Sequence, residues 1–337
     1  MHLRAHIGAA VRAICDLLIR RLPPRGSDAR PAPRGYHGVP VLRRPHWKWH
    51  IPLYFFVSGV GSGAALIGAI AGMSAGRGND VIARRGQAIG LLAVATALPL
   101  LIDDLGRPAR FHHMLRTFKP RSPMSMGSWA LLLFGNLTGL ATAADGLANR
   151  VGAVRYATWL RGGAALARAV LIVPAAFVAS YTGVLLAATA VPLWARARAV
   201  LPPLFLVAAV STGAAAIDLS LGEEDRSARA TVKDIETAAL AGELALVALL
   251  VRRLGEYGRP LVARPWGQLF WGAVLLGQIV PLLFGLAHAG DRPGMRDRAL
   301  RCATLVGGWV LRWTIVQAGK TSADDPVAAL DFHGGRN

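Results

Sequence analysis

The stretch Ile51–Met73, IPLYFFVSGVGSGAALIGAIAGM, decides the fold. It runs 23 residues without a charge. A helix of about that length, rising 1.5 Å per residue, covers the ~30 Å of bilayer hydrocarbon. Seven further apolar runs follow it: Gly86–Leu105, Ser128–Leu147, Ala167–Leu193, Ala199–Leu219, Ile235–Val251, Trp266–Ala289 and Ala299–Gly319. Strands of a membrane barrel would be ~10 residues long with strict alternation, so these runs read as helices. Glycines four apart, at Gly59 and Gly63, Gly68 and Gly72, and Gly135 and Gly139, suit close helix packing, although glycine is common throughout this chain. The expected fold is an all-α integral membrane protein with eight transmembrane helices.

Composition agrees. Of 337 residues, 53% are hydrophobic and 17% charged, against ~25% charged in an ordinary soluble domain. The net charge of +19 rests on arginines scattered between the apolar runs, as in loops that flank membrane spans, and not on a compact basic domain for nucleic acid. Three regions follow. Residues 1–46 are a basic segment, first amphipathic and then Pro- and Arg-rich, suited to lie on anionic lipid and then to link. Residues 47–320 are the membrane domain, and 321–337 a polar tail.

Eight spans place both termini on one side. That side carries 23 Lys and Arg outside the spans against 12 opposite, which favours cytoplasmic termini in a bacterial inner membrane. Nearly all of the difference comes from the amino-terminal segment.

The redox inventory is sparse. Cys15 and Cys302 fit no metal spacing and cannot hold an iron–sulfur cluster, which takes about four ligands. Of nine histidines only His50 and His288 stand at span edges, and they belong to opposite sides, so no haem and no metal site is expected. Charges at membrane depth each cost roughly 2.5–3.5 kcal/mol on insertion scales and ask for a reason. Glu236 and Glu243, seven apart, share a helix face. They read either as proton-relay carboxylates or partners of a basic residue, or as helix–helix hydrogen bonds from protonated acids. Arg312 reads as a counter-charge for Glu243, as a donor to a bound headgroup, or as a snorkelling side chain. Asp218 closes its span as an interfacial carboxylate or joins a proton path, and Arg168 reads as snorkelling.

The loop after the second span is the most specific stretch: Leu101–Trp129, LIDDLGRPARFHHMLRTFKPRSPMSMGSW. Pro108, Pro120 and Pro123 stiffen it, and Ser125 or Ser128 suits the cap of the next helix. In its order of residues it resembles the NrfD/PsrC family, the membrane subunits of polysulfide and nitrite reductases. The resemblance is carried by DLGRP at Asp104–Pro108, RF at Arg110–Phe111, FKP at Phe118–Pro120 and SPMSxGSW at Ser122–Trp129. Trp47–Gly63, YTGVLL at Tyr181–Leu186, Pro203–Ala215 and Gly307–Gly319 fit the family in the same order.

The resemblance implies two four-helix bundles that anchor an oxidoreductase complex. It implies a quinone or quinol (menaquinone or ubiquinone) as substrate and an iron–sulfur subunit docked at one face. Behind that subunit it implies a molybdopterin catalytic subunit. It assigns quinone contact to His50 and Tyr181, while Asp104 and Arg312, which alternation of the spans brings to the same face, are placed to tune charge and pass protons; Arg107, Arg110 and Lys119, with Ser125, read as docking the iron–sulfur subunit or as shaping the loop. Glu243, Glu236 and Asp218 are the candidate proton path. Members with exported partners would put the docking face outside, against the charge count. Two other readings stay open: an ion or solute transporter using the intramembrane carboxylates, and a structural anchor without a quinone site.

Overall fold

The computed structural model describes residues 42–74, 76–105, 108–151, 153–263, 266–287 and 294–333. Most of the amino-terminal segment, Arg107 and His288 lie outside them. The described residues are mostly helical, with no strand among them. Eight long helices follow in order: α1 His50–Ala71, α2 Arg77–Asp103, α3 Pro123–Ala148, α4 Val154–Ala187, α5 Leu201–Ser220, α6 Arg226–Leu254, α7 Gly267–Ala287 and α8 Met295–Ala323. By length and composition seven of these can cross a membrane; α6 is long enough at 29 residues but too charged to be counted with them. Large apolar side chains stand exposed along the helices, among them Leu92, Leu166 and Val173. So much outward apolar surface fits hydrocarbon rather than water.

The helix ends differ from the hydropathy boundaries for local reasons. α2 and α4 begin well before their apolar runs, because their basic and polar first turns continue the helix beyond the hydrocarbon. The fourth run was expected to reach Leu193, but α4 stops at Ala187. Pro192 disfavours a helical conformation at the residue before it, so the chain breaks and a short helix, Pro192–Arg196, follows. α3 is capped by Ser122, whose side chain accepts from the Ser125 backbone N–H, with Pro123 in the first turn. The expected cap at Ser125 or Ser128 is therefore corrected: Ser128 donates back to the Met124 carbonyl, and Ser125 serves the loop. α7 contains a π-turn at Leu275–Ile279 just before Pro281. A proline lacks the amide that would close the preceding turn, and the wider turn accommodates it.

α1 packs on α2, α4 and α5, and α3 packs on α2 and α4. α5 packs on α6 and α8, and α7 packs on α6 and α8. α1 and α5 form the centre, 67% and 61% buried along their apolar windows, against 28% and 22% for α2 and α3. Their approach is backbone to backbone. A side chain at Gly63 would collide with the Ala209 carbonyl of α5, and one at Gly213 with α1 at Gly63 and Ala64.

Candidate functional site

Two polar regions stand out, one in each half. The first lies at the end where α1 and α3 start and α2, α4 and α8 finish. His50 opens α1, and Tyr54 follows one turn later on the same face. His50 Nε2 lies 3.3 Å from Asp103 Oδ2, so Asp103 rather than Asp104 is its partner. His50 Nδ1 is buried without a hydrogen-bond partner, and the Trp49 ring lies against the imidazole at 4.0 Å between centroids. Tyr181 of α4 is buried, stacks on Phe177 at 5.8 Å and lies within electrostatic range of Tyr54. Gly127 of α3 leaves the space that the Tyr181 ring fills.

The same end is tied together by Lys320, which donates to the Trp47 carbonyl and lies within electrostatic range of Asp104. Trp47 stacks on the fully buried Trp194 at 5.3 Å, and Trp194 Nε1 donates to the Ile315 carbonyl at 3.0 Å. Trp47 is thus a packing residue, whereas Trp49, 54% exposed, keeps the outward position of an interfacial belt.

The loop between α2 and α3 lies at this end and packs on those two helices. It contains a 3-10 segment, Pro108–Leu115. Ser125 Oγ accepts from the Lys119 backbone N–H at 3.0 Å and donates to the Thr117 carbonyl at 3.3 Å, which holds the FKP turn against α3. Arg110 and Lys119 are exposed. Beside the loop an apolar cavity of about 510 Å³ opens between α2 and α3, lined by Leu98, Phe111, Met114 and Leu131 among others.

The second region fills α5–α8. Glu243 of α6 accepts from Ser211 Oγ of α5 at 2.7 Å and from Gln278 Nε2 of the α7 π-turn at 2.8 Å. Arg312 of α8 is 1% exposed, so it does not snorkel; it donates to its own Gly308 carbonyl at 2.9 Å and feels the charge of Glu243. Its guanidinium lies under Gly59 of α1 and over the rings of Phe205 at 5.6 Å and Phe56 at 6.0 Å. Gly59 is nine residues along α1 from His50, which puts Arg312 on the order of 14 Å deeper than His50 at 1.5 Å per residue. Arg312 therefore belongs with Glu243.

One step nearer the opposite face, Asp218 is 3% exposed and held by two arginines, with Arg301 Nε at 2.6 Å and Arg229 Nη1 at 2.5 Å. Arg301 also reaches Glu236 at 2.7 Å, and Thr304 donates to Glu236 at 3.0 Å. Asp218 is thus the hub of a buried ion-pair group and not a lone interfacial carboxylate. Arg168, expected to snorkel, instead pairs with Asp145 of α3, the two side chains 11% and 17% exposed. Among the described residues no cluster of His, Cys, Asp and Glu is arranged to hold a metal ion.

Comparison with known proteins decides the family. The family model described as "Polysulphide reductase, NrfD" matches residues 41–323. This chain belongs to the NrfD family. It is 28% identical to the NrfD homolog of Haemophilus influenzae, the match covering 81% of this chain and 94% of that protein. It is 29% identical to NrfD of Escherichia coli, covering 81% and 95%. The C subunit of polysulfide reductase from Wolinella succinogenes is 33% identical over a shorter match, 26% of this protein and 29% of that one.

Within this NrfD-family membrane protein several site residues escaped the sequence reading. Tyr54 carried a usable signal, four residues after His50. Gly127 lay inside the quoted motif without its role being legible. Ser211 lies inside the quoted stretch Pro203–Ala215 without its partner being legible, and Gln278, Arg229 and Arg301 carry no signal beyond polarity near or inside apolar runs, because their partners are on other helices.

Proposed function

We propose that the protein is the quinone-reactive membrane subunit of a multi-subunit oxidoreductase, exchanging electrons between the quinone pool and a docked iron–sulfur subunit. The observation that carries this is the gathering of His50, Tyr54 and Tyr181 at the end of α1–α4 from which the motif loop leaves, in a member of the NrfD family. A quinone carbonyl needs a hydrogen-bond donor, and quinol oxidation needs an acceptor for each proton. His50 is held at Nε2 by Asp103 and keeps Nδ1 without a partner. That suits a group that takes or gives a proton at Nδ1 while the carboxylate fixes the ring. Tyr181 and Tyr54 supply hydroxyl donors, and Asp103 with Asp104 leads protons toward the surface. The substrate is menaquinone or ubiquinone.

In this proposal Arg107, Arg110, Lys119 and Ser125 present the loop to the iron–sulfur subunit, behind which a molybdopterin subunit does the chemistry. That arrangement is argued from family membership and from a relative named for polysulfide reductase. α6 serves as an eighth span, its charges turned inward onto α5, α7 and α8, and the helices form two four-helix bundles, α1–α4 and α5–α8. Asp218, Glu236 and Glu243 form a proton path coupled to electron flow, with Arg312 as the counter-charge of Glu243. The membrane is the bacterial inner membrane, with cytoplasmic termini.

The test replaces His50 by Ala and Tyr181 by Phe in the assembled complex. Each change should lower quinol-linked electron flux by about 100-fold, the scale of one acid–base group, while the subunits still co-purify. Unchanged flux in both variants sinks the site. Glu243→Gln, in a complex that still assembles, should abolish proton translocation, and unaltered translocation removes the path.

A further inference from the structure

On the terminal side, where α4 and α6 end, a cavity of about 760 Å³ is lined by Arg196, Arg198, Arg252 and Arg253. Among the described residues no carboxylate lines it; the rest of its wall is alanines, Thr189 and Phe332. None of the four arginines forms a salt bridge among the described residues. Arg252 and Arg253 close α6, where the helix dipole favours cations, but Arg196 and Arg198 come from the short helix Pro192–Arg196 and the turn after it. Four like charges brought to one concavity from two segments repel each other, and a bound anion removes that repulsion.

The surroundings say which kind of anion. One turn below Ala188, Val184 of α4 is exposed; one turn below Arg253, Leu249 of α6 is exposed. The same α6 face is alanine at positions 241, 245 and 248, all exposed. One turn below the cavity wall, the exposed faces of both helices are thus apolar. A phosphate with two acyl chains matches both parts, whereas an acidic protein surface would leave the apolar faces uncovered. Arginines at this height reach headgroup level.

We infer that Arg196, Arg198, Arg252 and Arg253 hold the phosphate of an anionic phospholipid, whose acyl tails lie along Val184 and Leu249. This rests on the proposal that α6 crosses the membrane. It is independent of the quinone site.

The test uses the full-length protein purified in detergent, titrated with phosphatidylglycerol, with phosphatidylcholine and with inorganic phosphate. Bound lipid is counted by native mass spectrometry, and resistance of each variant to carbonate extraction of membranes reports insertion separately. Wild type should retain phosphatidylglycerol over phosphatidylcholine. Arg252→Gln with Arg253→Gln should weaken phosphatidylglycerol roughly 30-fold, from the usual contribution of two arginines near a lipid surface. Lysine at both positions should keep most of the binding, and Arg110→Gln with Lys119→Gln should change nothing. The inference is overturned if the glutamine pair binds phosphatidylglycerol like wild type. It is also overturned if phosphatidylcholine binds equally, or if inorganic phosphate displaces the lipid and binds as tightly. Loss of co-purifying iron–sulfur partner with lipid binding intact would assign the arginines to a protein surface instead. Asp225→Cys and Gly255→Cys, at the two ends of α6, should label from opposite sides of the membrane, and labelling from one side would instead defeat the membrane-spanning reading beneath it.

Discussion

The two halves of the membrane domain bury polarity in different ways. α1–α4 bury mainly neutral groups, and the Arg168–Asp145 pair that joins α3 and α4 is only partly buried. Ser58, Ser62 and Thr138 each donate back to a carbonyl one turn earlier on their own helix, at 2.7, 2.6 and 2.7 Å. α5–α8 bury Asp218, Glu236, Glu243, Arg301 and Arg312, and the bonds of the first four cross from helix to helix, whereas Arg312 bonds its own helix and meets α1 and α5 through Gly59 and the Phe56 and Phe205 rings. A hydroxyl that satisfies itself locally says nothing about its neighbours. A carboxylate that needs an arginine three helices later in the sequence fixes the arrangement of the whole bundle. The first half is therefore free to build its end from aromatic rings and His50, and the second is a cross-linked charge column.

The sharpest way to break this comparison is Asp218→Ala. It leaves Arg301 without one partner and Arg229 without its ion pair, both largely out of solvent. Removing one member of a buried pair costs about 3–5 kcal/mol. Thr138→Ala, equally buried but self-satisfied, should cost about 1 kcal/mol. Thermal unfolding in detergent ranks the two. Equal loss would mean that the charge column does not organise the second half.

The halves meet at α1 and α5, which a second substitution addresses. Gly213→Ala drives a methyl group into the α1 backbone at Gly63 and Ala64. Overpacking of this kind costs about 1–3 kcal/mol, and more where the obstacle is main chain. Gly146→Ala meets nothing within 4 Å and should gain from better helix propensity, up to ~1 kcal/mol. If both glycines tolerate alanine alike, the halves are not held by close backbone approach, and the charge column alone would have to join them.

Much of this contrast is legible in the sequence alone. Long apolar runs locate the seven helices that can cross a membrane, because hydrocarbon selects on length and hydropathy, properties of one segment at a time; the run Ile235–Val251 falls inside α6, which is too charged to be counted with them. The family motif locates the end of the molecule where His50 and Tyr181 lie, since alternation of spans brings those residues to one face. The pairings are not legible. Arg229 and Arg301 read as loop and interfacial charges, and only the folding of α5, α6 and α8 against each other makes them partners of Asp218. Likewise Arg168 reads as snorkelling because its partner, Asp145, lies on the preceding helix. Asp103 and Asp104 are adjacent and chemically alike, and only helix phase decides which one reaches His50.

The smallest effect separates two serines of the motif loop. Ser122 caps α3, and a lost cap of this type costs ~1 kcal/mol, so Ser122→Ala should lower the unfolding temperature slightly. Ser125 instead joins the loop to itself through Thr117 and Lys119, near the surface. Ser125→Ala should leave global unfolding within about 0.5 kcal/mol of wild type, as surface changes usually do. Hydrogen exchange of the Lys119 amide should nonetheless speed up, because its only acceptor among the described residues is gone. The distinction matters for the comparison. A loop that loosens without weakening the bundle is an attachment to the first half, ordered by neutral bonds and shaped separately from the helices below. A fall in global stability as large as that of Gly213→Ala would make the loop part of the fold's central packing. The loop would then join the Arg168–Asp145 pair as a second tie across the first half.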